Sequence, residues 1–298
     1  MVWRALVKRL YADYLRRHGK PDILHAHSFY PAGEFAISMP ARAHVITEHA
    51  SAFLGPRANV LAKRAEPVLR QYNARIAVGQ QLLSNMERLA KNGGAWSYIP
   101  NLVNTRLFSP SLPPSTPIRI LTVANLLPNK RVDWVIRAFD AAFPSGEAHL
   151  FVVGAGVERA KLEELSSSLR SAPRIHFLGE LSRQQVKEQL DLCSMFALAS
   201  REETFGVVLI EALSMGRPIV ATDSGGPASI VSAKNGVLVG TDDFLGFQAA
   251  IERVASSLSS YDSAAIRMDC VRRFGEEAVT DELIKCYREA LRGGRATP

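Results

Sequence analysis

Residues 200–226, SREETFGVVLIEALSMGRPIVATDSGG, decide how this sequence is read. The apolar run MFALA (195–199) ends just before them, and a second, PIVAT (218–222), lies near their end. Between the two, a polar turn with Glu202 and Glu203 leads through Phe205-Gly206 into an apolar helical segment. That is strand, turn, helix, strand, one βαβ unit. The opening turn of a helix carries unpaired N–H groups and the positive end of the helix dipole, which suit a phosphate. Gly206 lets the backbone approach a ligand closely. Glu203 then stands at the mouth of the site. Glu211, in the second helical turn, can accept a pair of hydrogen bonds from vicinal hydroxyls. Two carboxylates flanking an anion site fit a ligand with sugar hydroxyls at both ends of a diphosphate. Acids in the first turns of a helix also favour the dipole on their own, by ~0.3–1 kcal/mol each. That plainer reading is preferred for Glu202, and the ligand reading for Glu203 with Glu211.

Outward from this segment, short β-branched runs alternate with helical patterns. A first series runs through DILHA (22–26), HVITE (44–48), RIAV (75–78) and WSYI (96–99). A second runs through RILTVA (119–124), HLFVVG (149–154), RIHFLG (174–179), MFALA, PIVAT and GVLV (236–239). Within residues 131–143, Val132, Val135, Ile136 and Phe139 follow helical spacing. Strands separated by helices at this rhythm predict an α/β fold with parallel sheets covered on both faces. The segment SPSLPPSTP (109–117), with four prolines and four Ser or Thr, reads as a linker between two Rossmann-like domains. The expected division is 1–110, 111–273, and a C-terminal helix in 274–298. In that helix Val279, Leu283, Tyr287 and Leu291 form one apolar stripe. It must cover either its own domain or the first one.

The chain has 298 residues, 47% hydrophobic and 22% charged, ordinary proportions for a globular protein of about two domains. Cys193, Cys270 and Cys286 are odd in number and widely spaced, as expected of reduced structural thiols. No run reaches the ~18 apolar residues of a membrane span. The net charge of +7 is uneven. Residues 1–110 hold 15 Lys and Arg against 6 Asp and Glu, and residues 111–298 hold 21 against 23. A basic first part suits an anionic membrane surface or an anionic substrate, or is simply a solvated face. Nothing resembles a nucleic-acid-binding signature, so no nucleic-acid partner is expected.

The run of two glutamates eight residues apart, with F-G inside and then S-x-G-x-P-I-V-A-T and G-G, resembles the retaining GT-B glycosyltransferases of the family-4 type (glycosyl transferases group 1). These transfer a sugar from a nucleotide-sugar in the cleft between two Rossmann-like domains. IPNLVNTRLF (99–108) resembles the family's "iPNGVD…F" hinge, and LTVANLLPNKRVDWVIRAF (121–139) its "vGRLvpeKGvd…AF" element. VVGAGVERAKLEEL and FLGELSRQQV resemble its next two strand–helix units.

The resemblance implies roles position by position. Lys130 matches the lysine that contacts the donor diphosphate, where a cation offsets charge building on the leaving group. The family's neighbouring arginine falls at Asn125, which can donate a hydrogen bond but brings no charge. Glu203 matches the acid on the donor-sugar hydroxyls, and Glu211 the ribose-binding acid. Phe205, Gly206, Val207 and Val208 match the segment whose backbone meets sugar and phosphate. Gly154 and Gly156 resemble the turn lining the nucleotide pocket, although a lone G-x-G also reads as turn punctuation. In HVITEHAS (44–51), His49 matches the histidine facing acceptor and donor sugar. His25 and His27 resemble a second strand-end feature, either lining the cleft or bonded within the structure. The expected catalytic set is Lys130, Glu203 and His49.

The implied chemistry is transfer with retained anomeric configuration, with no metal and no other cofactor. The implied acceptor is a glycan or lipid-linked sugar in surface polysaccharide assembly. The expected location is the cytoplasm, at the inner face of the membrane. The first series has four strands and lacks the family's Gly-rich loop. The first domain is therefore expected to be incomplete at its N-terminus, and to need self-association, a protein partner or a membrane surface. Two other readings stay open: a partner-dependent or non-catalytic nucleotide-sugar-binding subunit, and a GT-B epimerase or phosphorylase.

Overall fold

A computed structural model describes residues 2–91, 93–112, 117–146 and 148–293. The chain divides into two compact units, Met1–Pro100 with Val279–Pro298, and Asn101–Ala278. All ten strand segments expected from the sequence are present, with no end shifted by more than one residue.

The first unit holds four parallel strands in the order β1-β2-β3-β4: β1 (Ile23–His27), β2 (Ala43–Glu48), β3 (Ala74–Ala77) and β4 (Ser97–Tyr98). Around them lie α1 (Val2–His18), the single turn α2 (Glu34–Ala36), α3 (Ala58–Leu69) and α4 (Gln80–Leu89). Small residues Ala58, Ala62 and Ala65 give α3 a buried face of helical period. The C-terminal helix α11 (Glu276–Arg292) answers the question left by its stripe. Val279, Cys286 and Ala290, with Leu283, Tyr287 and Leu291, pack on Ala43, Val45 and Ile76 of β2 and β3. Burial of a Val- or Leu-sized side chain contributes about 1.5–3 kcal/mol, so this stripe is enough to hold the helix there.

The second unit is a six-stranded parallel sheet in the order β10-β9-β8-β5-β6-β7. Its strands are β5 (Arg119–Val123), β6 (His149–Val153), β7 (Ile175–Gly179), β8 (Met195–Leu198), β9 (Ile219–Thr222) and β10 (Gly236–Val239). From β5 the chain first builds outward through β6 and β7. It then returns to the other side of β5 and builds β8, β9 and β10. The reversal leaves a crevice at the carboxyl ends of β5 and β8, the place where open α/β sheets bind ligands. One face is closed by α5 (Val132–Ala142) and α9 (Phe244–Ser256). Val135, Ile136, Phe139, Phe247, Ile251 and Val254 there meet Ile120, Leu150, Val152 and Ala197. The remaining helices are α6 (Arg159–Ser167), α7 (Arg183–Leu192), α8 (Val207–Ser214) and α10 (Ser263–Phe274).

Residues 101–110, read from sequence as the end of the first domain, are held by the second unit. Val103 bridges Gly275. The Phe108 carbonyl accepts from the Ser214 hydroxyl and the Arg267 guanidinium, both at 2.7 Å. Of the proline-rich linker, residues 113–116 lie outside the described residues. Arg217, from the G-R-P piece, is fully buried, and its donors go to the carbonyls of Leu190, Asp191 and Leu112. The three cysteines are free and buried. No helix among the described residues is long and apolar enough to cross a membrane.

Candidate functional site

Lys130, Glu203, Gly206 and Glu211 lie on the loops and helix that open at the crevice between β5 and β8. Lys130 ends a 3-10 turn (Pro128–Lys130) shortly after β5. Glu203 lies in the loop after β8. The Lys130 ammonium donates to Glu203 Oε2 at 2.6 Å, with the two side chains 20% and 17% exposed. The loops that carry them are tied together, because the Arg201 amide donates to the Asn129 carbonyl at 2.7 Å. Glu203 is further fixed through its backbone. Its amide donates to Ser224 O at 2.9 Å, and its carbonyl accepts from the Gly226 amide at 2.6 Å. A Cβ on Gly226 would collide with the backbone of Phe205, so the second glycine of the G-G pair allows this contact.

Phe205 is buried, and Gly206 caps α8 in the left-handed region at φ 97°. Val207 and Val208 open α8, and their amides have no hydrogen-bond partner among the described residues. Glu211 follows on the same helix and is 6% exposed. Burial raises its pKa, and Arg183 works against that rise. Arg183 Nη2 donates to Glu211 Oε1 at 2.8 Å from the first residue of α7. Sequence reading missed this partner. An arginine opening a helix runs against the dipole, and that is the signal that could have found it.

Asn125 is exposed after β5. Gly154 and Gly156 follow β6 with φ of 135° and 156°. A side chain on either would strike a carbonyl of the neighbouring loop, that of Ala124 for Gly154 and of Leu126 for Gly156. Their place in the structure is close packing against the loop that carries Asn125. Glu202 is half-buried in the loop after β8.

The three singled-out histidines, His25, His27 and His49, belong to the first unit. His25 uses both ring nitrogens internally, on Thr47 Oγ1 and Tyr287 Oη, each at 2.7 Å. That makes it a bonded structural group. Burial, aided by His27 and His49, lowers its pKa to about 4. His27 is exposed, and its Nδ1 lies 2.9 Å from Nε2 of His49. Burial, then the charge of His27, lowers the His49 pKa. Among the described residues no group of three His, Cys, Asp or Glu is arranged to hold a metal.

Chemically, the second unit offers one ammonium, free amides at a helix start and two carboxylates eight residues apart. Cation and amides suit a diphosphate, and carboxylates suit hydroxyls on either side of it.

Comparison with known proteins finds matches for both units. A family described as "Glycosyl transferases group 1" matches residues 117–257, and one described as "Glycosyltransferase Family 4" matches residues 2–107. A GDP-mannose-dependent alpha-mannosyltransferase of Mycobacterium tuberculosis is 28% identical over 286 residues, covering 95% of this chain and 70% of the relative. An N-acetyl-alpha-D-glucosaminyl L-malate synthase of Bacillus anthracis is 29% identical over 58% of this chain and 46% of its own length. Among solved structures, sucrose-phosphate synthase from Thermosynechococcus elongatus superposes with a TM-score of 0.80 at 20% identity, over 94% of this chain and 76% of that one. Anabaena HepE in complex with UDP-glucose gives 0.74 at 17%, over 93% and 81%. The structural likenesses carry the fold. The fold is that of the GT-B glycosyltransferases, and each unit is similar to a glycosyltransferase family, family 4 for the first and group 1 for the second.

Proposed function

We propose that this chain moves a sugar from a nucleotide-sugar to a hydroxyl of a glycan or lipid-linked acceptor, with retention at the anomeric carbon and without a bound metal. The observation that carries the reading is the convergence of Lys130, Glu203, Gly206 and Glu211 at the β5/β8 crevice. In this reading Glu211 accepts the ribose hydroxyls, and the amides of Val207 and Val208 with Lys130 meet the diphosphate. Glu203 accepts from the donor-sugar hydroxyls. The bond from the anomeric carbon to the phosphate oxygen breaks, and the acceptor oxygen attacks that carbon on the departing face. The acceptor proton passes to the leaving phosphate, so no protein nucleophile is used. Lys130 works where negative charge grows, the position in which a fixed cation lowers a barrier most.

The acceptor side is assigned to the first unit, through His49, on the strength of the family resemblance. The chain is read as cytoplasmic, with its first unit towards an anionic membrane surface. Support comes from the basic composition and from α1, which leaves Trp3, Leu6, Leu10 and Tyr14 exposed among Lys and Arg. Asn125, which stands where the family has an arginine, favours a second reading: a nucleotide-sugar-binding subunit that turns over only with a partner. Proton NMR of the product separates these readings. A product with the donor's anomeric configuration supports retaining transfer, and an inverted product contradicts it. Donor binding with no product until a partner is added supports the second reading.

A further inference from the structure

We propose that Glu48 is a positioning residue: it holds His27 and His49 as one hydrogen-bonded pair that presents a ligand with one ring N–H and one bare ring nitrogen. Glu48 ends β2 and is fully buried. Among the described residues no cation pairs with it. Its oxygens instead accept from the amides of Phe29 at 2.8 Å, His49 at 2.8 Å and Ala50 at 2.7 Å. Burial raises the Glu48 pKa, and these amides with the nearby Ser28 hydroxyl work against that rise. A buried carboxylate without a counter-ion is costly, and this set of donors is what makes it tolerable.

The donors are specific in sequence. Ser28 and Phe29 directly follow His27, and His49 and Ala50 directly follow Glu48. One carboxylate therefore ties down the backbone beside both imidazoles. It also holds Ser28 at φ 64° and ψ 141°, a conformation that residues with a Cβ seldom adopt. The Ser28 amide completes the tie by donating to Thr47 O at 2.7 Å.

Between His27 Nδ1 and His49 Nε2, 2.9 Å apart, a hydrogen bond needs one proton. If His27 supplies it, His49 carries its own proton on Nδ1, and His27 Nε2 is bare. If His49 supplies it, His27 carries its proton on Nε2, and His49 Nδ1 is bare. In both cases the two neutral rings share one tautomer, and the outer nitrogens are one donor and one acceptor. His25 stacks on His27 at 4.4 Å between centroids, and its nitrogens are already used, so it supports the pair without joining it. A hydroxyl donates and accepts, so it matches either outer nitrogen. A phosphate or carboxylate matches only the donor. The pair is thus built for a sugar hydroxyl rather than an anion. That last step rests on reading His49 as the acceptor-side histidine, whereas the pairing itself does not.

Long-range proton–nitrogen NMR on the full chain, labelled at histidine and held above pH 7.5, reads the pairing whether or not sugar is transferred. We expect His27 and His49 to be both Nδ1–H or both Nε2–H. Opposite tautomers would overturn the proposal. In Glu48→Gln and in the shorter Glu48→Asp, His49 should relax to the tautomer mixture of a free imidazole. An unchanged lock in both would remove Glu48 from the role. Should neither variant fold, amide exchange in the wild-type chain decides. Slow exchange at Phe29, His49 and Ala50 is expected, and exchange as fast as in an open loop contradicts the proposal. With a donor and acceptor in hand, the folded variants should lose at least tenfold in kcat with donor KM within about twofold. A loss confined to KM contradicts a role on the acceptor side.

Discussion

At the residue scale, Lys130 and Glu203 satisfy each other at 2.6 Å, so ligand binding must divide a pair that already has its charges matched. In the proposed reading the phosphate takes the ammonium, and sugar hydroxyls take the carboxylate. Lys130→Ala should therefore depress turnover more than nucleoside binding, because the charge that Lys130 meets grows towards the transition state. Steady-state kinetics beside calorimetry check this, and equal turnover in both proteins would remove Lys130 from the mechanism. Glu211→Ala should weaken nucleotide-sugar binding by ~1.5–3 kcal/mol, roughly 10- to 150-fold. These residues were legible because motif and spacing lie within one short stretch of chain. Arg183 and Glu48 were not. Arg183 meets Glu211 28 residues away and Glu48 ties Phe29 19 residues away, contacts that only the folded chain makes, and an isolated Arg or Glu in sequence looks like surface.

At the scale of elements, the start of α8 depends on two glycines that sequence reading treated unequally. Gly206 was read as a ligand contact, and the structure adds that its φ of 97° caps the helix. Gly226 seemed only part of a motif, yet it lies against the Phe205 backbone. Gly226→Ala should cost about 1–3 kcal/mol, as overpacking does, and lower the melting temperature by several degrees. Calorimetric melting would show it. The paired strand ends of β1 and β2 with α11 give a pH signature through His25. Its folded pKa of about 4 lies below the unfolded value of about 6.5. The unfolded chain therefore binds the extra proton between those values. The stabilisation is full above pH 6.5 and drains away as pH falls towards 4. After solvent screening we expect a loss on the order of 1–2 kcal/mol. Urea midpoints at pH 7 and pH 5 should differ more in the wild-type chain than in His25→Gln.

For the whole molecule, the ten strands were legible because each is a short β-branched run bounded by polar turns. Strand order was not, since periodicity does not say which strand neighbours which. The reversal at β5 and β8 supplies the missing reason for the site: loops 75 residues apart in sequence open side by side. The destination of α11 was likewise open in sequence, because an apolar stripe says that a helix is covered but not by what. The basic first unit should make the chain sediment with anionic vesicles and release it at high salt. Equal sedimentation with neutral vesicles would count against the membrane reading.

The central claim, that the β5/β8 crevice holds a nucleotide-sugar, is tested most directly by titration calorimetry of the chain with a panel of UDP-, GDP- and ADP-sugars. One donor should bind with one-to-one stoichiometry, and Glu211→Ala should weaken it at least tenfold while leaving the fold intact. Binding of no donor in the panel, or unchanged affinity of the best binder in that variant, would contradict the account.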